Sequence, residues 1–370
     1  MEHEPPPLTR TMSDKNTLPL AGRIALVAGA TRGAGRGISV ALGELGATVY
    51  CSGRSVRGKP ATGSRPETIE ETAELVTASG GVGIAVRTDH TVADEVRALT
   101  ERISADHGKL DVLVNDVWGG DALTEWGTPF WEHSLENGLL MQQRAVHSHI
   151  ITSKFAVPLM LDRNALIVEV TDGVSDGYRG NLYYDLAKSS AIRLATAMSH
   201  ELRTRKVTAV AVTPGFLRSE AMLELFGVTE ANWRDYIAKD PNFAESETPL
   251  FVGRGIAALA ADPQVWTRNG RALTSWDLAE DYGINDADGR RPHWGRHIAK
   301  AADAQWESLV SLARATFAKR APQVEISGDR ASLMLSAASA TRAVLELELF
   351  FVEHSQIVDE LYDRYERARS

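Results

Sequence analysis

The sequence predicts an α/β fold built on a parallel, doubly wound sheet, followed by a helical extension. Short apolar runs alternate with amphipathic stretches from Arg23 to Thr274, the pattern of strands joined by crossover helices. The first run, Arg23-Ile24-Ala25-Leu26-Val27-Ala28, opens directly into a glycine-rich loop, Gly29 to Gly37, and then a helical stretch to Leu45. Beyond residue 292 the alternation stops and apolar residues recur at helical spacing.

The elements follow in order. Residues 1–20 are Pro-rich, polar and without period, so they are expected to be a disordered tail or to drape loosely on the domain. Residues 21–292 form the α/β domain. Its glycine loop stands where backbone can approach a pyrophosphate and hand it to a helix N-terminus, which predicts a Rossmann-type nucleotide site. The second strand, Thr48 to Ser52, ends in Gly53-Arg54-Ser55. A carboxylate here would accept hydrogen bonds from the ribose hydroxyls of NAD. Arg54, with Arg32, Arg57 and Lys59 nearby, suits a phosphate instead, and so NADP(H). A helix is expected over 66–79, a strand over 83–86 ending at Asp89-His90, a helix over 93–107 and a strand over 110–115.

A further apolar run, Leu166 to Val170, ends in Thr171-Asp172, and Tyr184 precedes Lys188 by four residues in a helical stretch. That spacing puts phenol and ammonium on one helix face. A neighbouring cation is expected to favour the phenolate and make Tyr184 a usable general acid/base. Trp118, Trp126, Phe130 and Trp131 follow the fourth strand. Phe216, Leu217, Met222, Leu225, Phe226, Trp233 and Tyr236 follow Pro214-Gly215. An aromatic mouth of this kind suits a bulky, mostly apolar substrate.

These motifs resemble the short-chain dehydrogenase/reductase family over residues 22–290. The family's glycine motif is matched by Ala28-Gly29 through Gly33 and Gly35, and the Asp closing its third strand by Asp89. Its N-N-A-G is degenerate, as Asn115-Asp116-Val117-Trp118-Gly119. Y-x-x-x-K is Tyr184 to Lys188, and the P-G motif is Pro214 to Ser219. Residues 131–160 and 270–292 are similar to the subgroup called member 1 of the family. The resemblance implies a cofactor held by Gly29, Thr31, Arg32, Gly33, Ala34, Gly35, Arg54 and Ser55. Asp89 and His90 would sit on the adenine, Asn115 and Val117 on the ribose, and Pro214, Gly215, Phe216 and Ser219 on the nicotinamide. Tyr184 would exchange the proton, while Lys188 tunes it and holds the second ribose. It also implies a small-molecule carbonyl or alcohol substrate and a homodimer or homotetramer.

Two positions depart from that pattern. The family's catalytic Ser is replaced by Asp172, with Thr171 just ahead of it. Either Thr171 supplies the hydroxyl, or Asp172 is protonated, or the reaction is not an ordinary carbonyl reduction. Thr171 is preferred here, so Asp172→Ala is expected to keep activity; Asp172 as a mere turn cap is the plain alternative. The family's Asn is Ala145, and His149 or His147 stands near enough to act as a proton carrier, a core histidine being the plainer account. The non-redox alternative is a lyase, dehydratase or isomerase using Tyr184 and Asp172; the other is an idle NADP-sensing interaction protein.

Composition sets outer bounds. With a formal charge of −9 over 370 residues there is no reason to expect nucleic acid or an anionic membrane surface as partner. Cys51 is the only cysteine, so no internal disulfide or Cys-rich metal site can form, no metal is expected, and a cytoplasmic location is the simplest fit. The longest apolar stretch, 331–352, is interrupted by Arg342, Glu346 and Glu348. Residues 293–370 are expected to be helical, over 297–319 and again over 329–369, with a break at Pro322 and Gly328.

Overall fold

The computed structural model describes residues 18–61, 65–174, 177–301 and 304, and two short strands further on. The chain divides into two units, one running to Lys239 and resuming over Ser246–Arg291, the other comprising Asp240–Glu245 and the chain from Pro292.

The first unit is a seven-stranded parallel sheet: β1 (Ile24–Ala28), β2 (Thr48–Gly53), β3 (Val82–Arg87), β4 (Val112–Asn115), β5 (Ala165–Val170), β6 (Val207–Thr213) and β7 (Ala272–Thr274). Their order in space is β3-β2-β1-β4-β5-β6-β7. The order reverses between β1 and β4, so the crevice at the carboxyl ends of those strands is where such a sheet takes a ligand. Strands β1, β4, β5 and β6 are buried along their whole length, which explains why they read as mostly apolar runs rather than alternations.

Helices α1 (Gly33–Glu44), α2 (Ile69–Ala78), α3 (Ala93–His107), α4 (Leu135–Gln142), α5 (Ser148–Ala156), α6 (Leu182–Leu202), α7 (Glu220–Leu225), α8 (Pro249–Ala261) and α9 (Ser275–Tyr282) complete the layers. Helix α2 starts later than Pro66 because Thr68 caps it, accepting from Glu71 N at 3.2 Å. A π-helical turn, Gln143–His147, separates α4 from α5 and contains the buried Ala145. One apolar core lies on each face of the sheet, the first around Val27, Ile38, Leu42 and Val210, the second around Leu26, Leu99, Leu113 and Ile167.

Two expectations change. The tail does not extend to residue 20: Leu20 is 1% exposed, joins the first core and donates its N–H to Leu45 O, because an apolar side chain there has a pocket to fill. Residues 1–17 lie outside the described residues. In the second unit Val324–Glu325 (β8) pairs antiparallel with Met334–Leu335 (β9), where a helix was expected from residue 329. Val324 is β-branched and Met334 and Leu335 are apolar, residue types that a strand pair accommodates. The rest of the expected helices beyond 304 lies outside the described residues. No helix among the described residues is long and apolar enough to cross a membrane.

Candidate active site

The glycine loop and the loop after β4 meet backbone to backbone at the crevice. Gly29 has φ +94°, and a Cβ on it would stand 2.5 Å from Asp116 O; one on Gly35 would stand 2.4 Å from Gly29 O. Only glycine fits at either place. Arg32 is the N-cap of α1 and gives it no side-chain cap. The N–H of Gly33 is instead taken by Glu220 Oε2 at 2.8 Å. A carboxylate oxygen therefore occupies the spot where a dinucleotide's phosphate oxygen would bind, evidence that this helix end accepts an anion.

At the end of β2, Thr31 packs against Gly53, and Arg54 reaches toward Asp89, with Nη1 to Oδ2 at 3.8 Å. Ser55 is buried and accepts from Ala61 N. Arg57 is paired with Glu74 at 2.5 Å, and Arg36 donates to Thr31 O in the glycine loop at 3.0 Å. Burial opposes ionisation of Asp89, but the hydroxyl and N–H of Thr91 together with Arg54 hold its carboxyl below the usual range. His90 does not offer its ring to an adenine. Its nitrogens face Ser52 Oγ at 2.8 Å and Thr152 Oγ1 at 2.7 Å, and burial pushes its pKa down to about 4.

Asn115 is fully buried and donates from Nδ2 to Ser153 Oγ and to Glu169 Oε1, at 2.9 and 2.7 Å. Glu169 stands beside it on β5, also buried. Its other oxygen meets His149 Nδ1 at 2.6 Å, and His149 Nε2 meets Val117 O at 3.1 Å. A carbonyl can only accept, so Nε2 carries a proton. His149 therefore fixes the Val117 carbonyl and does not reach toward Lys188 as a relay. Asp116, next in the chain, lies between Gly35 and Lys188. Burial pushes its carboxyl up to about 7, against the pull of Lys188 and His149.

Helix α6 begins at Asn181, whose side chain accepts from Tyr184 N. Tyr184 Oη then donates to Asp172 Oδ2 at 2.8 Å, just beyond the end of β5. Thr171 Oγ1 donates at 2.8 Å to the carbonyl of Lys188, so its hydroxyl ties α6 to β5 and turns away from the phenol. The geometry does not favour Thr171 as the carbonyl-orienting hydroxyl; the side chain that faces the phenol is Asp172. The expected lowering of Tyr184 is also revised: burial, then the charge and hydrogen bond of Asp172, push the phenol above its ordinary value. Lys188 Nζ lies over the Trp118 ring, 3.9 Å from its centroid, and 5.5 Å from that of Tyr184. Burial lowers its pKa, opposed by Asp172, Asp116 and Asp121. Trp118 and Trp126 flank Tyr184 with ring centroids 5.3 and 5.1 Å away.

The loop after β6 carries Pro214, Gly215, Phe216 and Ser219. Gly215 N and Ser275 Oγ both donate to Glu247 Oε2, at 2.9 and 2.6 Å, and Glu247 N donates to Phe216 O. Glu247 is 1% exposed, and burial pushes its carboxyl up to about 8. Ser219 accepts from Met222 N as the cap of α7. Arg218, also 1% exposed, donates to Ser246 O and Oγ and to Glu230, and stacks over Trp233 at 4.0 Å.

The structure thus brings Tyr184, Lys188, Asp172, Gly215 and the glycine loop to one end of the sheet, and turns His90, Asn115 and Thr171 inward. Glu247 and Glu220 had no sequence signal as site residues, and Asp116 stood within the degenerate N-N-A-G stretch with no role assigned to it. A lone acidic residue in an apolar strand, as Glu169 is, was the only available hint, since such a charge needs a partner.

Comparison with known proteins agrees with this arrangement. A model of the family described as short chain dehydrogenase matches residues 23–226, more than half of the chain. Dehydrogenase/reductase SDR family member 1 of Mus musculus is 33% identical over 278 residues, covering 74% of this chain and 85% of the mouse protein. The 3-oxoacyl-(acyl-carrier-protein) reductase FabG of Staphylococcus aureus is 31% identical over 200 residues, covering 53% and 75% respectively. Among solved structures, a short chain dehydrogenase from Mycobacterium thermoresistibile matches with a TM-score of 0.61 at 21% identity, over 74% of this chain and 92% of its own, a likeness of fold. A Rossmann-type sheet, an anion-accepting glycine loop, and a Tyr184–Lys188 pair on one helix, together with these matches, place the chain in the short-chain dehydrogenase/reductase family of oxidoreductases.

Proposed function

We propose that this protein is an NADP(H)-dependent reductase of a bulky, mostly apolar ketone or aldehyde, or the dehydrogenase of the matching alcohol. The observation that carries it is the phenol of Tyr184, flanked by Asp172 and Lys188, at the strand ends beside the glycine loop. When bound, the cofactor supplies or takes up the hydride. Gly33 N–H and the rest of the α1 N-terminus would hold its pyrophosphate, and Gly215 and Phe216 would flank the nicotinamide. Arg32 and Arg54 would hold the phosphate on its adenosine ribose. That assignment is supported by the absence of a carboxylate at the end of β2. A phenol held protonated suits a general acid, so Tyr184 delivers a proton to the carbonyl oxygen during reduction. Lys188 would steady the second ribose. Trp126, 58% exposed and beside Tyr184, with the exposed Phe130 and Trp131 a few residues on, supports an apolar body for the substrate.

The test is loss of NADPH absorbance over a panel of aryl and cyclic ketones, with NADH alongside. Tyr184→Phe should abolish turnover and leave NADPH affinity within about threefold, since the proton and not the binding energy is removed. Equal affinity for NADH would sink the cofactor assignment. The Tyr184–Asp172 contact also favours a second reading, acid/base chemistry without redox. Conversion of a substrate at constant NADPH would select it.

A further inference from the structure

We infer that the substrate carries a permanent or protonated positive charge next to its reacting carbonyl, an ammonium group seated between Asp172 and the rings of Trp126 and Tyr184; this rests on the reductase reading above. The usual hydroxyl at this place donates a hydrogen bond to the carbonyl oxygen. Asp172 is exposed and bonded to the reacting phenol itself, and an ionised carboxylate can only accept. It would repel the oxygen of a plain ketone as negative charge develops there. A cationic centre carried on the carbon next to the carbonyl reverses that penalty, because it meets the carboxylate while it polarises the C=O bond.

The charges around the phenol agree. Arg179 is matched by Asp185, at 2.8 Å, and also holds the Asp172 carbonyl oxygen at 2.6 Å. The remaining cation is Lys188, which faces three carboxyls: Asp172, Asp116 and Asp121. Asp121 is anchored in the cleft by Trp118 Nε1 at 2.5 Å. Trp118 gives a ring face to Lys188, whereas Trp126 is 58% exposed and tilted beside Tyr184, so its ring is open to a ligand. Asp172 meets the hydroxyl of Tyr184 and Trp126 meets its ring, so a carboxylate and an open aromatic face flank one phenol, a pairing that an alkylammonium group selects. The reaction balances as an ordinary reduction. The carbonyl carbon accepts the hydride from NADPH, the π pair of C=O takes the proton of Tyr184, and the products are the amino alcohol and NADP. The phenol regains its proton from solvent.

The experiment compares two ketones of nearly the same shape, the phenacyl-trimethylammonium ion and its neutral carbon isostere, neopentyl phenyl ketone. The full-length wild type, Asp172→Asn and Asp121→Asn are assayed for kcat/KM. Because the ammonium also activates the carbonyl chemically, the reading is the change in the cation-to-neutral ratio between proteins. That ratio should fall at least roughly tenfold in Asp172→Asn and severalfold in Asp121→Asn, the range of one desolvated cation contact. An unchanged ratio in both variants overturns the proposal. Binding of benzyltrimethylammonium, followed by tryptophan fluorescence, separates this from failure of the reductase reading. If no ketone is reduced but Asp172→Asn still weakens that binding severalfold, the cation site stands and the reductase reading falls. If binding is the same in all three proteins, the cation site falls. Asp121→Asn carries the comparison should Asp172→Asn not fold.

Discussion

Asp116 is the residue whose chemistry departs furthest from its neighbours' needs. Its carboxyl lies against backbone at Gly35 and is pushed up to about 7, mainly by burial. In the unfolded chain it titrates near 3.8, so between about pH 4 and pH 7 the folded protein binds the extra proton. The stability it contributes is full below pH 4 and is lost as pH rises through 7. Asp116→Asn should remove that slope and raise stability above pH 7 by on the order of 2–4 kcal/mol, at about 1.4 kcal/mol per unit. Thermal melts of both proteins from pH 4.5 to 8, without cofactor, would check it: curves that stay parallel would refute the assignment. Glu247 makes a companion case. It holds Gly215 N–H and Ser275 Oγ, so Glu247→Ala should loosen the P-G loop and weaken NADPH binding by roughly tenfold, the cost of leaving a buried donor without its partner, while Glu247→Gln restores most of it. Titration of NADPH into the two variants decides. The motif match marked the position of Asp116 but not its role, and nothing marked Glu247, because both act on backbone atoms brought close only by folding.

Among the elements, α7 has the clearest consequence for the cofactor. Its first residue, Glu220, puts a carboxylate on Gly33 N–H and lies 3.8 Å from Arg36, while Glu224 pairs with Arg65. A pyrophosphate at the α1 N-terminus must displace Glu220 before it can bind. Removing that competitor with Glu220→Ala should tighten NADPH by about three- to tenfold, in line with the 0.3–1 kcal/mol of an anion at a helix end plus a weak ion pair. A weaker or unchanged dissociation constant by calorimetry would show that Glu220 does not compete. The sequence did foretell the elements themselves. Wholly buried strands β1, β4, β5 and β6 are mostly apolar runs, interrupted by Asn115, Glu169, Thr208 and Thr213, and the glycine loop stands between a strand and a helix, so the nucleotide half was legible. The substrate half was legible only in part. Thr171 and Asp172 are adjacent, and one step of chain decides which side chain turns to Lys188 O and which to Tyr184 Oη. Periodicity does not resolve one residue at a strand's end. Nor could helical spacing foresee that Tyr184 answers more to burial and Asp172 than to Lys188 one turn away.

At the scale of the whole molecule, the unanswered demand is apolar surface on the sheet's helical flank. Leu135 and Leu139 stand four apart on α4 and are 63% and 57% exposed; Ile150 on α5 and Leu186 on α6 are each 47% exposed. Helices α4 and α6 pack together, so these side chains belong to neighbouring elements of one layer. Residues one helical turn apart, such as Leu135 and Leu139, lie on one face. Leaving several large aliphatic side chains in water forgoes roughly 1.5–3 kcal/mol each, which a second copy of the chain would recover. A homodimer or homotetramer using α4 and α6 is the expected outcome. Leu139→Glu with Leu186→Glu should then shift the mass by light scattering toward the monomer at micromolar concentration, since a charge buried on both sides of a twofold contact is doubly penalised. The fold should survive, because both positions are solvent-facing within one chain and touch neither sheet core. A wild-type protein already monomeric at that concentration, or a double variant with unchanged mass, would rule this surface out as the subunit contact.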